Sequence, residues 1–125
     1  MSDPAAFPYD TRLEVLAQPL ELIDVQKLAD AVEHPWFNQT LCVVNDAAIR
    51  VGIVQGEYHW HKHDEDDEFF YVVEGQLLGD LEDRTITLNP QQGVTVPKGV
   101  VHRTRAPHRT IMLMVETSGI IPTGD

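Results

Sequence analysis

Within the run Glu57-Tyr58-His59-Trp60-His61-Lys62-His63, imidazoles stand at alternate positions. Side chains alternate across an extended strand, so His59, His61 and His63 project to one side and Tyr58, Trp60 and Lys62 to the other. Imidazoles buried without hydrogen-bond partners cost free energy, and a metal ion resolves that cost. Two imidazoles at i and i+2 can clasp one ion, and a carboxylate on the next antiparallel strand can supply a third point of attachment. Glu68 opens the following apolar run and shares a face with Phe70 and Val72, which points it inward. The acidic residues 64–67 read as a solvated turn, with Asp64 or Asp67 available to accept a proton from a ligating imidazole. His102, after the rigid turn Val96-Pro97-Lys98-Gly99, is the remaining donor. The expected metal ligands are therefore His61, His63, Glu68 and His102, which leave room for water or substrate on a five- or six-coordinate ion. His59 is assigned to the pocket as a catalytic general base. His34 and His108 read as surface residues.

These side chains must be held by strands. After Pro35 the chain breaks into short runs rich in Val, Ile, Thr and aromatics, punctuated by Asn-Asp, Glu-Gly, Glu-Asp and Asn-Pro. The pattern predicts strands over 38–44, 48–54, 57–63, 68–73, 76–81, 84–88, 93–96, 100–105 and 109–116. So many short strands imply an all-β sandwich or barrel. Upstream, Val25, Leu28, Ala29 and Val32 recur at helical spacing, with Asp24 as N-cap and Pro35 as a stop, which predicts one short helix. Residues 1–19 carry Pro4, Pro8 and Pro19 and read as an extended arm laid over the body, away from the chemistry. The expected organisation is an arm and helix over 1–35, a β-barrel over 36–117 and a C-terminal tail over 118–125.

Composition narrows the functional classes. The chain has 125 residues, and 9 Lys+Arg against 20 Asp+Glu give a formal net charge of −11. That balance argues against nucleic acid and anionic membrane surfaces as partners. Cys42 is the one cysteine, so no disulfide can form within the chain, and its apolar surroundings suggest a buried, unreactive thiol in a reducing compartment. Neither an export signal nor a membrane-spanning run is visible, which reads as cytoplasmic.

The segments GEYHWHKHDEDDEFFYVVEG and GVTVPKGVVH resemble the two signature motifs of the cupin superfamily, particularly its small single-domain members. His61, His63, Glu68 and Gly75 match the first motif, and Gly93, Pro97, Gly99 and His102 the second. Gly56 and Gly93 sit closer to their partners than the full pattern has them, and Ala106 stands where that pattern carries an asparagine. The resemblance implies a double-stranded β-helix, or jelly roll, with one divalent metal ion at its open end. Iron, manganese, nickel and zinc all occur in such proteins. A homodimer is the assembly it implies.

The expected pocket is mostly apolar, lined by His59, Phe70, Thr104 and, near them, Ile53, Met112 and Met114. Tyr58, Trp60, Phe69 and Tyr71 are expected on the outer, packing side of the sheet. Lys98, Arg103, Arg105 and Arg109 form an exterior basic patch that either steers an anionic substrate or pairs with the acidic turn of a second subunit. Three classes follow: a metal enzyme acting on a small carboxylate or enol-like molecule as a dioxygenase, isomerase or lyase; a noncatalytic metal-dependent binding or sensor protein; and a protein whose metal chiefly stabilises the fold.

Overall fold

The computed structural model describes residues 8–125, so the first residues of the arm, Pro4 among them, lie outside the described part. The Asp24 carboxylate accepts a hydrogen bond from the Lys27 amide at 3.0 Å and starts helix α1 (Val25–Ala31). The helix ends at Val32, which is already extended, ahead of Pro35.

The rest is strand: β1 (Asp10–Arg12), β2 (Trp36–Val44), β3 (Ala47–Glu57), β4 (Glu68–Glu74), β5 (Leu77–Leu81), β6 (Thr85–Leu88), β7 (Gly93–Val96) and β8 (His102–Thr117). They form one sheet in the order β1-β2-β3-β8-β4-β7, with β5 paired to β8 and β6 to β5. β8 organises the sheet. It pairs with β3 along most of its length, with β5 over His102–Arg105 and with β4 over Ile111–Val115. A strand that changes partner midway folds the sheet over on itself, which brings β4 and β5 around one interior.

Three strand expectations are corrected. The runs 100–105 and 109–116 form the single strand β8. Pro107 falls where the β3 register shifts between Val54 and Gly56, and there its missing N–H costs no ladder bond. The run 57–63 is not a strand: β3 ends at Glu57, and beyond it the Tyr58 amide donates to the Thr104 carbonyl at 2.9 Å and His61 forms an isolated bridge to His102. Gly56 marks the irregularity ahead of this end. Its φ of 107° lies in the left-handed region open chiefly to glycine, and the register with β8 shifts between Val54 and Gly56. The arm also contributes a strand, because β1 adds in parallel to the edge of β2.

Alternation along β3 splits the buried apolar residues into two layers. Val51 and Ile53 face outward and pack with Ala29, Phe37, Leu41 and Ile111 beneath α1. Val54 faces inward with Trp36, Tyr58, Phe70, Val72 and Met112. Ile53 is therefore a helix-packing residue, not the pocket residue expected, and Tyr58 is inside the sheet, not on its outer side. Trp60 is exposed, Phe69 and Tyr71 are half-buried, and so is Cys42.

Candidate metal centre

The bridge between His61 and His102 is closed by two backbone hydrogen bonds of 2.9 Å, one in each direction, and it sets their rings 4.4 Å apart between centroids. Glu68 starts β4 with its carboxylate inward. The Pro97–Gly99 turn is pinned by the Gly99 amide donating to the His63 carbonyl at 2.7 Å. Two stretches distant in sequence thus meet at one end of the sheet. One ligand atom from each of His61, His63, Glu68 and His102 lies within 4.8 Å of the others.

Each of these imidazoles is oriented from behind. The Nδ1 of His61 donates to the His59 carbonyl at 3.0 Å, and that of His102 to the Val100 carbonyl at 2.9 Å. The Nδ1 of His63 contacts the Asp125 carboxylate at 2.8 Å. Acceptors at Nδ1 fix the proton there and leave Nε2 with a lone pair for a cation. The Nε2 atoms of His63 and His102 face Glu68 Oε1 at 3.6 and 3.4 Å. These three atoms are buried and have no hydrogen-bond partner among the described residues. Neutral imidazole and carboxylate donors, buried and otherwise unsatisfied, fit a divalent ion.

Electrostatics agree. Burial, reinforced by the neighbouring His102, pushes His61 down to about 3, and burial lowers His102 as well. Neutral rings are ready to ligate without first losing a proton. Burial raises the Glu68 carboxyl, so the site binds its proton more tightly until a cation compensates.

Behind Glu68 lies a buried polar group that the sequence pattern alone did not reveal. Arg50, 2% exposed, pairs through Nε with Glu116 at 3.1 Å and donates to Thr40 and Asn38. Burial and then Glu68 raise the Glu116 carboxyl well above the usual range, because two carboxyls this close resist ionising together. A signal was present: Glu116 has the strand parity of Met112 and Met114, which face inward. Asp125, the partner of His63, carried no such signal. The expected outer partners are engaged elsewhere, Asp64 with Lys62 at 3.0 Å and Asp67 with the Lys98 amide at 2.9 Å.

His59 stands outside the cluster. Its ring centroid is 5.2 Å from that of His61, its Nε2 contacts the Thr123 carbonyl at 2.7 Å, and its Nδ1 faces the Tyr9 hydroxyl at 3.2 Å. The arm thus reaches the edge of the site, contrary to expectation. The basic residues also have partners within the chain. Arg103 and Arg105 both bind Asp80, at 2.9 and 2.7 Å. Arg109 donates to the Ala29 and Val32 carbonyls at the end of α1. His34 and His108 are exposed.

Next to the ligands is a cavity of about 30 Å³, bounded by Trp36, Tyr58, Phe70, Met112, Met114 and Pro122, with Arg50, Glu68 and Thr104 as its polar wall. Phe70, Thr104, Met112 and Met114 were expected there.

A sheet folded over on itself with a three-histidine, one-glutamate cluster at one end is the arrangement of a jelly roll whose donors could hold a metal ion. The cupin domain model matches residues 49–117, and the chain belongs to that family. It is 42% identical over 90 residues to the uncharacterized protein YdbB of Bacillus subtilis (strain 168), an alignment covering 71% of this chain and 80% of that protein. Among solved structures, a cupin-2 domain containing protein from Shewanella frigidimarina superposes with a TM-score of 0.73 at 29% identity, over 77% of this chain and 94% of that one. Protein NMB1881 from Neisseria meningitidis has the same fold, with a TM-score of 0.68 at 24% identity over 78% of this chain and 99% of the other.

Proposed function

We propose that the chain binds one divalent metal ion through the Nε2 atoms of His61, His63 and His102 and the carboxylate of Glu68, and that it binds or transforms a small organic molecule beside that ion. The observation that carries this reading is the orientation of the donors: each imidazole is held at Nδ1, and buried, unsatisfied Nε2 atoms converge on Glu68. Iron, manganese, nickel and zinc all suit such a nitrogen and oxygen donor set. Bound there, the ion supplies a positive charge that stabilises negative charge developing on a ligand oxygen. The mixed cavity wall, apolar with Arg50, Glu68 and Thr104 on one side, favours a molecule with a carboxylate or enol-like oxygen at one end and a hydrocarbon body. His59 is the group proposed to accept a proton.

The small cavity supports a second reading, in which the ion chiefly stabilises the fold. Its volume of about 30 Å³ has room for roughly one or two water molecules. Metal reconstitution under air and without oxygen, followed by metal analysis, ligand thermal-shift screening and turnover assays on the hits, separates the two. One equivalent of metal with ligand-dependent stabilisation supports the first reading. One equivalent with loss of folding on chelation and no ligand response supports the second. Absence of bound metal under every condition overturns both.

A further inference from the structure

The segment Ile120–Asp125 lies across the metal centre. Pro122 forms part of the cavity wall, and Ile120, Pro122, Thr123 and Gly124 are buried. A few bonds hold the segment to the histidine run. The Thr123 carbonyl meets His59 Nε2 at 2.7 Å, the Asp125 amide donates to the Lys62 carbonyl at 3.1 Å, and the Asp125 carboxylate meets His63 Nδ1 at 2.8 Å. Gly124 adopts a φ of 120°, and a Cβ there would stand 3.1 Å from the Cβ of His61. No strand of the sheet takes in these residues, since β8 ends at Thr117. The covering is therefore local, and its release breaks no ladder.

The cavity beneath, about 30 Å³, has room for roughly one or two waters, so an organic molecule of several heavy atoms enters only if part of the wall moves. We propose that Ile120–Asp125 is a displaceable stopper over the metal centre, and that Asp125 is the positioning residue that ties it to the ligand His63. The inference rests on the metal-binding reading above. Closed, Asp125 holds the His63 ring with its Nδ1 protonated and its Nε2 toward the ion. Open, the same movement clears the cavity mouth. Metal retention and ligand entry are thus opposed through one carboxylate, and a ligand that fills the cavity favours the open arrangement by its own contacts.

The test uses the full chain loaded with cobalt(II), whose visible spectrum reports coordination, and azide as a small anionic probe of access. Asp125→Ala should weaken cobalt affinity roughly 10–100-fold, the range for loss of an outer partner of a ligating histidine, and should speed azide entry. Asp125→Asn keeps an acceptor oxygen for His63 and should restore most of the affinity. Gly124→Ala leaves Asp125 in place but strains the backbone and crowds His61, so it should speed azide entry with a smaller loss of affinity. Failure of the unaltered protein to bind cobalt would overturn the metal reading and the stopper with it. Tight cobalt binding with azide entry unchanged in both Asp125→Ala and Gly124→Ala would overturn the stopper alone. Equal loss of affinity in Asp125→Asn and Asp125→Ala would overturn the positioning role.

Discussion

The two faces of β3 are built on opposite principles. Outward, Val51 and Ile53 pack with Phe37, Leu41, Ile111 and Ala29 of α1 in an apolar layer. Inward, the same strand buries Arg50 against Glu116, with Glu68 and the histidines beyond and aromatic rings and methionines around them. The outer layer gains from every methylene it removes from water. The inner layer spends part of that gain on desolvating charges, which rarely stabilise a fold on balance. Both faces thus bury apolar side chains, and the inner one, a residue away along the same strand, also carries the buried charges and the candidate metal donors.

The sharpest way to break this comparison is to remove a ligand. His61→Ala or His102→Ala should lower metal affinity more than about 100-fold, beyond the loss expected from an outer partner, while the metal-free protein keeps its circular-dichroism spectrum. Metal analysis and thermal melts of the purified variants check this, with exposed His34→Ala as the unaffected control. Next in size is Arg50→Met. It strands Glu116 and should cost about 3–5 kcal/mol in denaturant unfolding. Adding Glu116→Gln to Arg50→Met should recover part of that loss, because glutamine is neutral without the proton that a buried Glu116 must take up. On the outer face, Ile53→Ala should cost about 2–5 kcal/mol from lost burial and the cavity left behind, with metal stoichiometry unchanged. A change in stoichiometry there would show that the two layers are coupled.

The same division governs what was legible in the sequence. The four cluster residues stood out because imidazoles at alternate positions, a returning carboxylate and a histidine after a rigid turn seldom coincide in one short chain unless they share an ion. Helix α1 was legible from its spacing and from Asp24. Tyr58 was misplaced because 57–63 was read as one regular strand, so inward imidazoles put Tyr58 on the opposite face; the run is not a strand, and Tyr58 lies inside with the cluster. Ile53 was misplaced because it was grouped with the pocket residues without following the parity of β3. Arg50 and Glu116 were legible in principle, since each occupies an inward position. They were missed because a charge in a strand is ordinarily read as a solvent-facing residue. Asp125 reaches His63 across 62 residues of sequence, and no local pattern encodes so distant a contact.

The smallest predicted effect lies outside both layers, where Asp80 of β5 gathers Arg103, Arg105 and the Thr85 hydroxyl. Hydrogen bonding from Arg105, helped by Thr85 and Arg103, holds the Asp80 carboxyl below the usual carboxylate range. A carboxyl whose pKa is lower in the folded chain stabilises fully above its unfolded value of about 3.9, and that contribution fades as pH falls through the folded value. Asp80→Asn should therefore cost about 1–2 kcal/mol at pH 7, with hydrogen bonds to charged groups setting the scale. The gap should narrow only below about pH 4. Both guanidinium groups are partly exposed, so added salt should narrow it as well. Urea unfolding of the two proteins at pH 7 and pH 3, each at low and high salt, checks both dependences. A gap that stayed constant from pH 7 to pH 3 would mean that Asp80 acts through shape alone, and that the basic side chains of β8 contribute nothing by their charge.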